Sequence, residues 1–389
     1  MKRKIGIAIA AVLYAGVALA QKPVASFPFE QYGSHSFIKV KVNNSEELDF
    51  IFDTGDGLTV LNIDRAKELG MTSGSNATTT SAEGTISGKL VKHNELTVGG
   101  APVHNIKVYE TSLNHLEISI GRNIDGIIGY DILNNYVVSM NFDDMMIELY
   151  DPNKYKYKGK GKMMSINLTS FIPHIAGQVT LANGEKLAGE FFVDTGAKAT
   201  VDFNTPFVET NELASKIGDS YIYLVAGLGD TEYEHHRGRV KSFAFEGFSF
   251  DNMPVGLSHA KHGIQNHKKV SGIIGSGVLS RFNIVYHYKD KKMYWEQAKS
   301  YGDAFPVNAS GIELQLSKDK SEVLVHKVFD NSPAYEAGVE VESVIESVDG
   351  ESATELGLAK LREIFAQDGE NVIVTINGEE IELELKSML

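Results

Sequence analysis

The sequence predicts a mainly β protein whose first three hundred residues form two similar lobes paired as a pseudo-dimer, with a smaller α+β domain behind them. Three observations lead there. "LDFIFDTGDGLTVLN" places Asp53-Thr54-Gly55 at the end of an apolar strand, and "GEFFVDTGAKATVDF" places Asp194-Thr195-Gly196 in the same setting. Each triplet is followed by Gly-Ile-Ile-Gly, at residues 126–129 and 272–275. Near residue 305 the pattern changes to short strands around two helix signals.

Composition narrows the class. The chain has 389 residues, too many for one ordinary domain, and 42% are hydrophobic, enough for a large core. A net charge of -14 argues against a nucleic-acid or anionic-membrane partner. There is no cysteine, so disulfides, thiolate zinc sites and a cysteine nucleophile are excluded. Residues 1–20 read as a signal peptide. Lys2, Arg3 and Lys4 precede an apolar run from Ile5 to Val17, and Ala18-Leu19-Ala20 forms a small-x-small cleavage site. The run is short for a membrane anchor, so no stable membrane insertion is expected. The expected product, cleaved near Ala20, is exported to periplasm, cell surface or medium.

The repeat orders the elements that follow. The first lobe is expected over 21–150, a linker over 151–162 and the second lobe over 163–300. The triplets lie 141 residues apart (194 − 53) and the Gly-Ile-Ile-Gly segments 146 (272 − 126). Alternating apolar residues at Phe37, Ile38, Val40 and Val42, and at Val179 and Leu181, read as strands before each triplet. Val98-Gly99-Gly100 and Ala182-Asn183-Gly184 read as turns between strands. A short helix is expected after each Gly-Ile-Ile-Gly, then an apolar strand, an acidic turn (Asp144, Asp290) and a closing strand. The alternating lysines of "DPNKYKYKGKGK" suit a solvated linker.

A single Asp-Thr-Gly is an ordinary turn. Two, each after an apolar strand and before the same distant segment, call for another account. Two copies pairing about a twofold axis would bring one strand-ending acid from each to the centre. Close carboxylates cannot both ionise easily, so they share a proton, giving an acid and a base from identical groups. Glycine lets the backbone approach, and the threonines can hydrogen-bond across the interface.

This constellation resembles the bacterial retropepsin-like aspartic proteases, over roughly residues 30 to 297. The matching positions are Asp53-Thr54-Gly55 with Ile127-Ile128-Gly129, and Asp194-Thr195-Gly196 with Ile273-Ile274-Gly275. The resemblance implies an aspartic endopeptidase with two retropepsin/pepsin-like β-barrel lobes. Asp53 and Asp194 would be catalytic, and Thr54, Gly55, Asp56, Thr195, Gly196 and Ala197 would form the supporting loops. One activated water would serve, with no cofactor or metal, and a monomer would suffice. The partners implied are peptide or protein substrates. The family usually has Ser, Thr or Ala after the triplet; the second lobe has Ala197 but the first has Asp56. With no hydroxyl in either lobe the dyad should titrate high, higher still if Asp56 points inward, so activity is expected at mildly acidic to neutral pH. Flaps are expected around Glu83, Gly84 and Thr85 and around Gly227, Leu228 and Gly229. The rival reading is a catalytically inactive peptide-binding scaffold of the same fold. His235, His236, His259, His262 and His267 lack a metal-ligand spacing and read as surface residues.

Residues 306–389 resemble a bacterial protease-associated PDZ domain, on "SPAYEAGV" and "VIESVDG". Ser332 caps a short helix with Pro333 in its first turn and Gly338 as its stop. Ser352-Ala353-Thr354-Glu355 fits a capping box before a helix. Glu342-Ser343 replaces the family's usual Gly-Asp. The resemblance implies a peptide groove along Ser310, Gly311, Ile312 and Leu314, with backbone N–H groups near Ser310-Gly311 holding a terminal carboxylate. A packing module with an empty groove is the alternative.

Overall fold

Strand His35–Val42 shows how the pattern becomes structure: Phe37, Ile38, Val40 and Val42 are buried while Lys39 faces solvent. The computed structural model describes residues 21–389 except Thr72, Ser73, Glu83 and Asp230. The predicted signal segment and Glu83 of the first flap lie outside the described residues.

The chain is mainly β, and the repeat in sequence is a repeat in topology. Two eight-stranded sheets have corresponding strand orders. The first runs, in order across the sheet, Glu30–Tyr32, His35–Val42, Leu48–Phe52, Gly126–Ile128, Thr59–Asn62, Ala101–Thr111, Thr85–Val98 and Ser75–Thr80. The second places Asn167–Thr169, Ile172–Thr180, Lys186–Val193, Gly272–Ile274, Val201–Phe203, Phe248–Ser258, Glu232–Phe245 and Tyr221–Ala226 in the equivalent positions. In each, the long strand pairs back onto the second strand, curling the sheet towards a barrel.

The Gly-Ile-Ile strand is the central element of each sheet. In the first it runs parallel to Leu48–Phe52, with Phe52 opposite Ile128, and antiparallel to Thr59–Asn62. In the second, Val193 lies opposite Ile274 in the same way. Such a strand is covered on both faces, which explains its unbroken apolar run.

A six-stranded sheet contains strands of both repeats. Val137–Asn141 pairs with Phe282–His287 at its centre, and each pairs with its hairpin partner. Ala25–Pro28 and Lys162–Ser165 form the two edges. One apolar core runs through both repeats, including Phe52, Ile128, Val193, Ile274, Tyr286 and Trp295. The lysine-rich linker is docked by the residues between its lysines: Tyr157 stacks on Tyr294 at 3.9 Å, and Tyr155 packs on Tyr150 at 5.0 Å.

Short helices follow each Gly-Ile-Ile-Gly, at Tyr130–Asn135 and Ser276–Leu279. Helices at Ile63–Glu68, Asn114–Ile120, Thr205–Thr210 and Leu213–Lys216 were not legible in the sequence. Each is under two turns, too short to show a 3.6-residue period.

The C-terminal residues form a separate sheet and core, with Leu314, Val325, Ile345, Leu361 and Phe365 among its buried residues. Ser332 caps Pro333–Glu336, its Oγ accepting from Tyr335 N–H at 3.2 Å. Glu342 takes φ +66°, a conformation glycine adopts without strain. The capping box at Ser352 does not close. Ser352 makes no cap hydrogen bond; its Oγ lies 3.0 Å from Thr354 Oγ1, and Gly357 at φ 72° and ψ 162° breaks Ala353–Ile364 into two helical pieces. No helix among the described residues is long and apolar enough to cross a membrane.

Candidate active site

Each triplet is fixed by the Gly-Ile-Ile strand beside it. Asp53 N–H donates to the Ile128 carbonyl at 2.9 Å, and Asp194 N–H to that of Ile274 at 3.0 Å. Gly129 is required by close approach: a Cβ there would fall 1.9 Å from the Asp53 carbonyl oxygen. The two loops then lock each other. Thr54 N–H donates to Thr195 Oγ1 at 3.0 Å, and Thr195 N–H to Thr54 Oγ1 at 3.1 Å. Thr54 Oγ1 donates to the Val193 carbonyl at 2.7 Å, and Thr195 Oγ1 to that of Phe52 at 2.9 Å. Both threonines are buried, so every one of these polar groups depends on the other loop.

The lock brings the two acids together. Asp53 and Asp194 lie close enough for each to shift the other's proton affinity. Each carboxyl also covers the other loop's glycine: a Cβ on Gly55 would lie 2.4 Å from Asp194 Cγ, and one on Gly196 2.2 Å from Asp53 Oδ2. Their surroundings differ. Asp53 Oδ1 accepts one loop N–H, from Gly55 at 2.7 Å. Asp194 Oδ1 accepts two, from Gly196 at 2.9 Å and Ala197 at 3.0 Å.

That asymmetry separates the two acids. Burial, then the charges of Asp194 and Asp56, push the Asp53 carboxyl well above its ordinary range. Burial also raises Asp194, but Asp53 and the Ala197 and Gly196 N–H groups pull it back. The second backbone N–H favours the ionised form at Asp194, and its absence at Asp53 favours the protonated form there. Asp56 belongs to this system. Its Oδ1 accepts from Leu58 N–H at 3.0 Å, while its Oδ2 is buried without a partner. Burial pushes its carboxyl up to about 7; Leu58 N–H opposes this, and Asp131 and Asp194 add to it.

The acids line a cavity of about 1310 Å³. Gly55, Asp56, Gly196 and Ala197 line it too, while Thr54 and Thr195 are buried out of it. Both expected flaps are hairpins whose tips meet. A Cβ on Gly227 would touch Ala82 Cβ at 3.0 Å. The first tip is also tied to the second repeat, Ile264 N–H donating to Ser81 O at 3.1 Å and Gln265 N–H to Ala82 O at 2.9 Å. Ser81, Ala82, Gly227 and Leu228 line the cavity; Gly84, Thr85 and Gly229 do not.

The third wall comes from the C-terminal region. Ile312, Glu313 and Leu314, and Arg362 with Phe365 from the helical side, face the same space. Phe329 stacks on Tyr221 at 4.7 Å, His326 pairs with Glu232 at 2.9 Å, and Arg362 donates to the Ser119 carbonyl at 2.6 Å. Lys320 pairs with the buried Glu117. The loop expected to hold a terminal carboxylate has its donors engaged already. Ser310 and Gly311 N–H donate to Asn308 Oδ1 at 3.1 and 2.8 Å, and Ile312 N–H to Ser310 Oγ at 3.0 Å. Ser310 is buried by that network rather than open to a ligand.

One histidine departs from the surface reading. His235 is fully buried, because it occupies an inward position of Glu232–Phe245, with its Nδ1 4.0 Å from Asp202 Oδ2. His236 packs against His259 at 4.8 Å. Sequence reasoning missed His35, Arg237, Glu313 and Arg362 in the cavity wall. They are far apart in the chain, and no motif links them. Lys198, which also lines the cavity, lies four residues after Asp194.

Residues 38–132 match the profile of a family described as aspartyl protease. The match spans the first triplet and its Gly-Ile-Ile-Gly, and supports a protease in general terms. No curated protein matches the chain.

Proposed function

We propose that this protein is an exported aspartic endopeptidase of the retropepsin-like kind, a single-chain pseudo-dimer with Asp53 and Asp194 as its dyad. The observation that carries the reading is the reciprocal threonine lock that sets each carboxyl against the other loop's glycine in the cavity wall. In this mechanism ionised Asp194 takes a proton from a water, whose oxygen attacks the peptide carbonyl carbon. Asp53 donates its proton to the carbonyl oxygen, giving a tetrahedral diol. In the collapse of the diol Asp194 gives its proton to the leaving amine nitrogen as the C–N bond breaks, and a diol hydroxyl returns its proton to Asp53, which restores the starting state. Burial and the charges of Asp194 and Asp56 raise the Asp53 carboxyl, which favours it as the proton donor. The meeting flap tips would have to part for a peptide to enter. The PDZ-like domain is read as part of substrate recognition, since it walls the same cavity.

The test is cleavage of a complex peptide mixture from pH 3 to 8 by the protein lacking residues 1–20, read by mass spectrometry beside Asp53→Asn. Cuts that vanish in the variant are expected. A folded protein that makes no cuts at any pH would move the reading to an inactive peptide-binding scaffold.

A further inference from the structure

Three cationic side chains face the cavity from three parts of the chain: Lys198 beside the Asp194 loop, Arg237 from the second flap strand and Arg362 from the C-terminal helix. None has an ion-pair partner among the described residues. Lys198 makes no hydrogen bond there, and Arg362 meets only backbone carbonyls, those of Ser119, Ile120 and Leu314. Arg237 is aimed by an aromatic face, its guanidinium lying 4.3 Å from the Tyr223 ring centroid, while the Tyr223 hydroxyl donates to Asp202 at 3.2 Å. The acids of this wall are engaged elsewhere: Glu313 accepts from Leu224 N–H at 3.3 Å, Asp202 from the Tyr223 hydroxyl, Glu232 pairs with His326 and Glu363 with Lys360. The three cations thus share a wall made by all three regions, and among the described residues none of its carboxylates forms an ion pair with them.

We propose that this cluster binds a carboxylate of the peptide substrate, a few residues from the scissile bond, and makes the C-terminal domain part of the specificity site. The inference rests on the cavity being where the peptide is cleaved. Like charges gathered in a poorly solvated wall repel one another unless an anion joins them. Arg362 and burial hold the Lys198 amine down to about 7, and burial with Lys198 and Arg362 holds His35 down to about 4. A substrate carboxylate would relieve that repulsion and can accept charge-assisted hydrogen bonds from lysine and arginine. The Ser310-Gly311 loop has no free N–H for the task. The carboxylate can be a chain terminus or an Asp or Glu side chain; the two share one chemistry.

Four randomised decapeptide libraries test this: free-acid or amidated ends, each with Asp and Glu present or replaced by Asn and Gln. Cleavage by the wild type and retention by Asp53→Asn are read on each, the second needing no catalysis. Carboxylate-bearing peptides should be cut and retained at least about tenfold better. Loss on amidation identifies a terminus, and loss on Asn/Gln replacement a side chain. Lys198→Met should reduce the preference, and Lys198→Glu should turn it towards Lys and Arg. Neither substitution removes a hydrogen bond of the fold. Equal cleavage and retention across the libraries would overturn the inference, as would a preference unchanged in both Lys198 variants. Selective retention without cleavage would leave it standing while the protease reading fell.

Discussion

Replacing Asp56 by Asn tests the electrostatics of the site without touching the dyad itself. Burial raises the Asp56 carboxyl from its ordinary 3.8 to about 7 in the folded protein. Below pH 4 it is protonated in folded and unfolded chains alike, and its contribution to stability is fully present. Between about 4 and 7 the unfolded chain ionises while the folded one does not, so stability falls by about 1.4 kcal/mol per pH unit. Above 7 about 4 kcal/mol has been lost in all. Asp56→Asn removes that loss. The amide oxygen can keep the Leu58 N–H bond, while the unpartnered NH2 costs about 1–3 kcal/mol at every pH. Urea unfolding at unit steps from pH 4 to 8 should therefore show the variant gaining on the wild type as pH rises, by about 4 kcal/mol across the range. The same change removes a negative charge that raises Asp53, so the alkaline limb of kcat/KM should move to lower pH. Parallel stability curves for the two proteins would refute the placing of Asp56 in a dry, unpaired setting. A wild-type rate peak near pH 2–3, about a unit or more below ordinary carboxyl values, would refute the raised dyad.

Asp194→Asn should lower kcat about a thousandfold or more in the peptide assay, with the fold intact by circular dichroism. Thr195→Val strands the Thr54 N–H and the Phe52 carbonyl in a buried interface, and should cost about 1–3 kcal/mol for each in urea unfolding. Gly196→Ala places a methyl on the Asp53 carboxyl, so cleavage should vanish; retained cleavage at wild-type rate would show that the loops are less tightly opposed.

The doubled motif was the most legible part of this molecule because its spacing is a consequence of topology. A triplet must end one strand and a Gly-Ile-Ile segment must run beside it, so the two appear in fixed order in each repeat. Asp56 was legible as a departure, since Ala197 stands in its place in the second repeat. Whether it faces the dyad was not, because that depends on where its buried carboxyl points. Likewise the six-stranded sheet that joins the repeats is set by pairing between residues 138–140 and 284–286, and no local pattern specifies that choice of partner.

The charged wall was hidden for a different reason. Lys198, Arg237 and Arg362 lie on a loop, a strand and a helix, and each reads alone as an ordinary solvated cation. They acquire meaning only once the C-terminal domain is docked across the cavity, through Phe329 on Tyr221, His326 on Glu232 and Arg362 on the end of Asn114–Ile120. Those contacts join side chains that are individually unremarkable, so neither repeat nor motif announces them. The repeat gives both acids the same backbone frame, and a twofold frame by itself cannot tell one acid from the other. What separates them lies off the symmetry: one extra N–H on Asp194 and one carboxylate near Asp53. The C-terminal region on one side then makes the cavity as unequal as the two acids, which the proposed binding of a peptide in one direction requires.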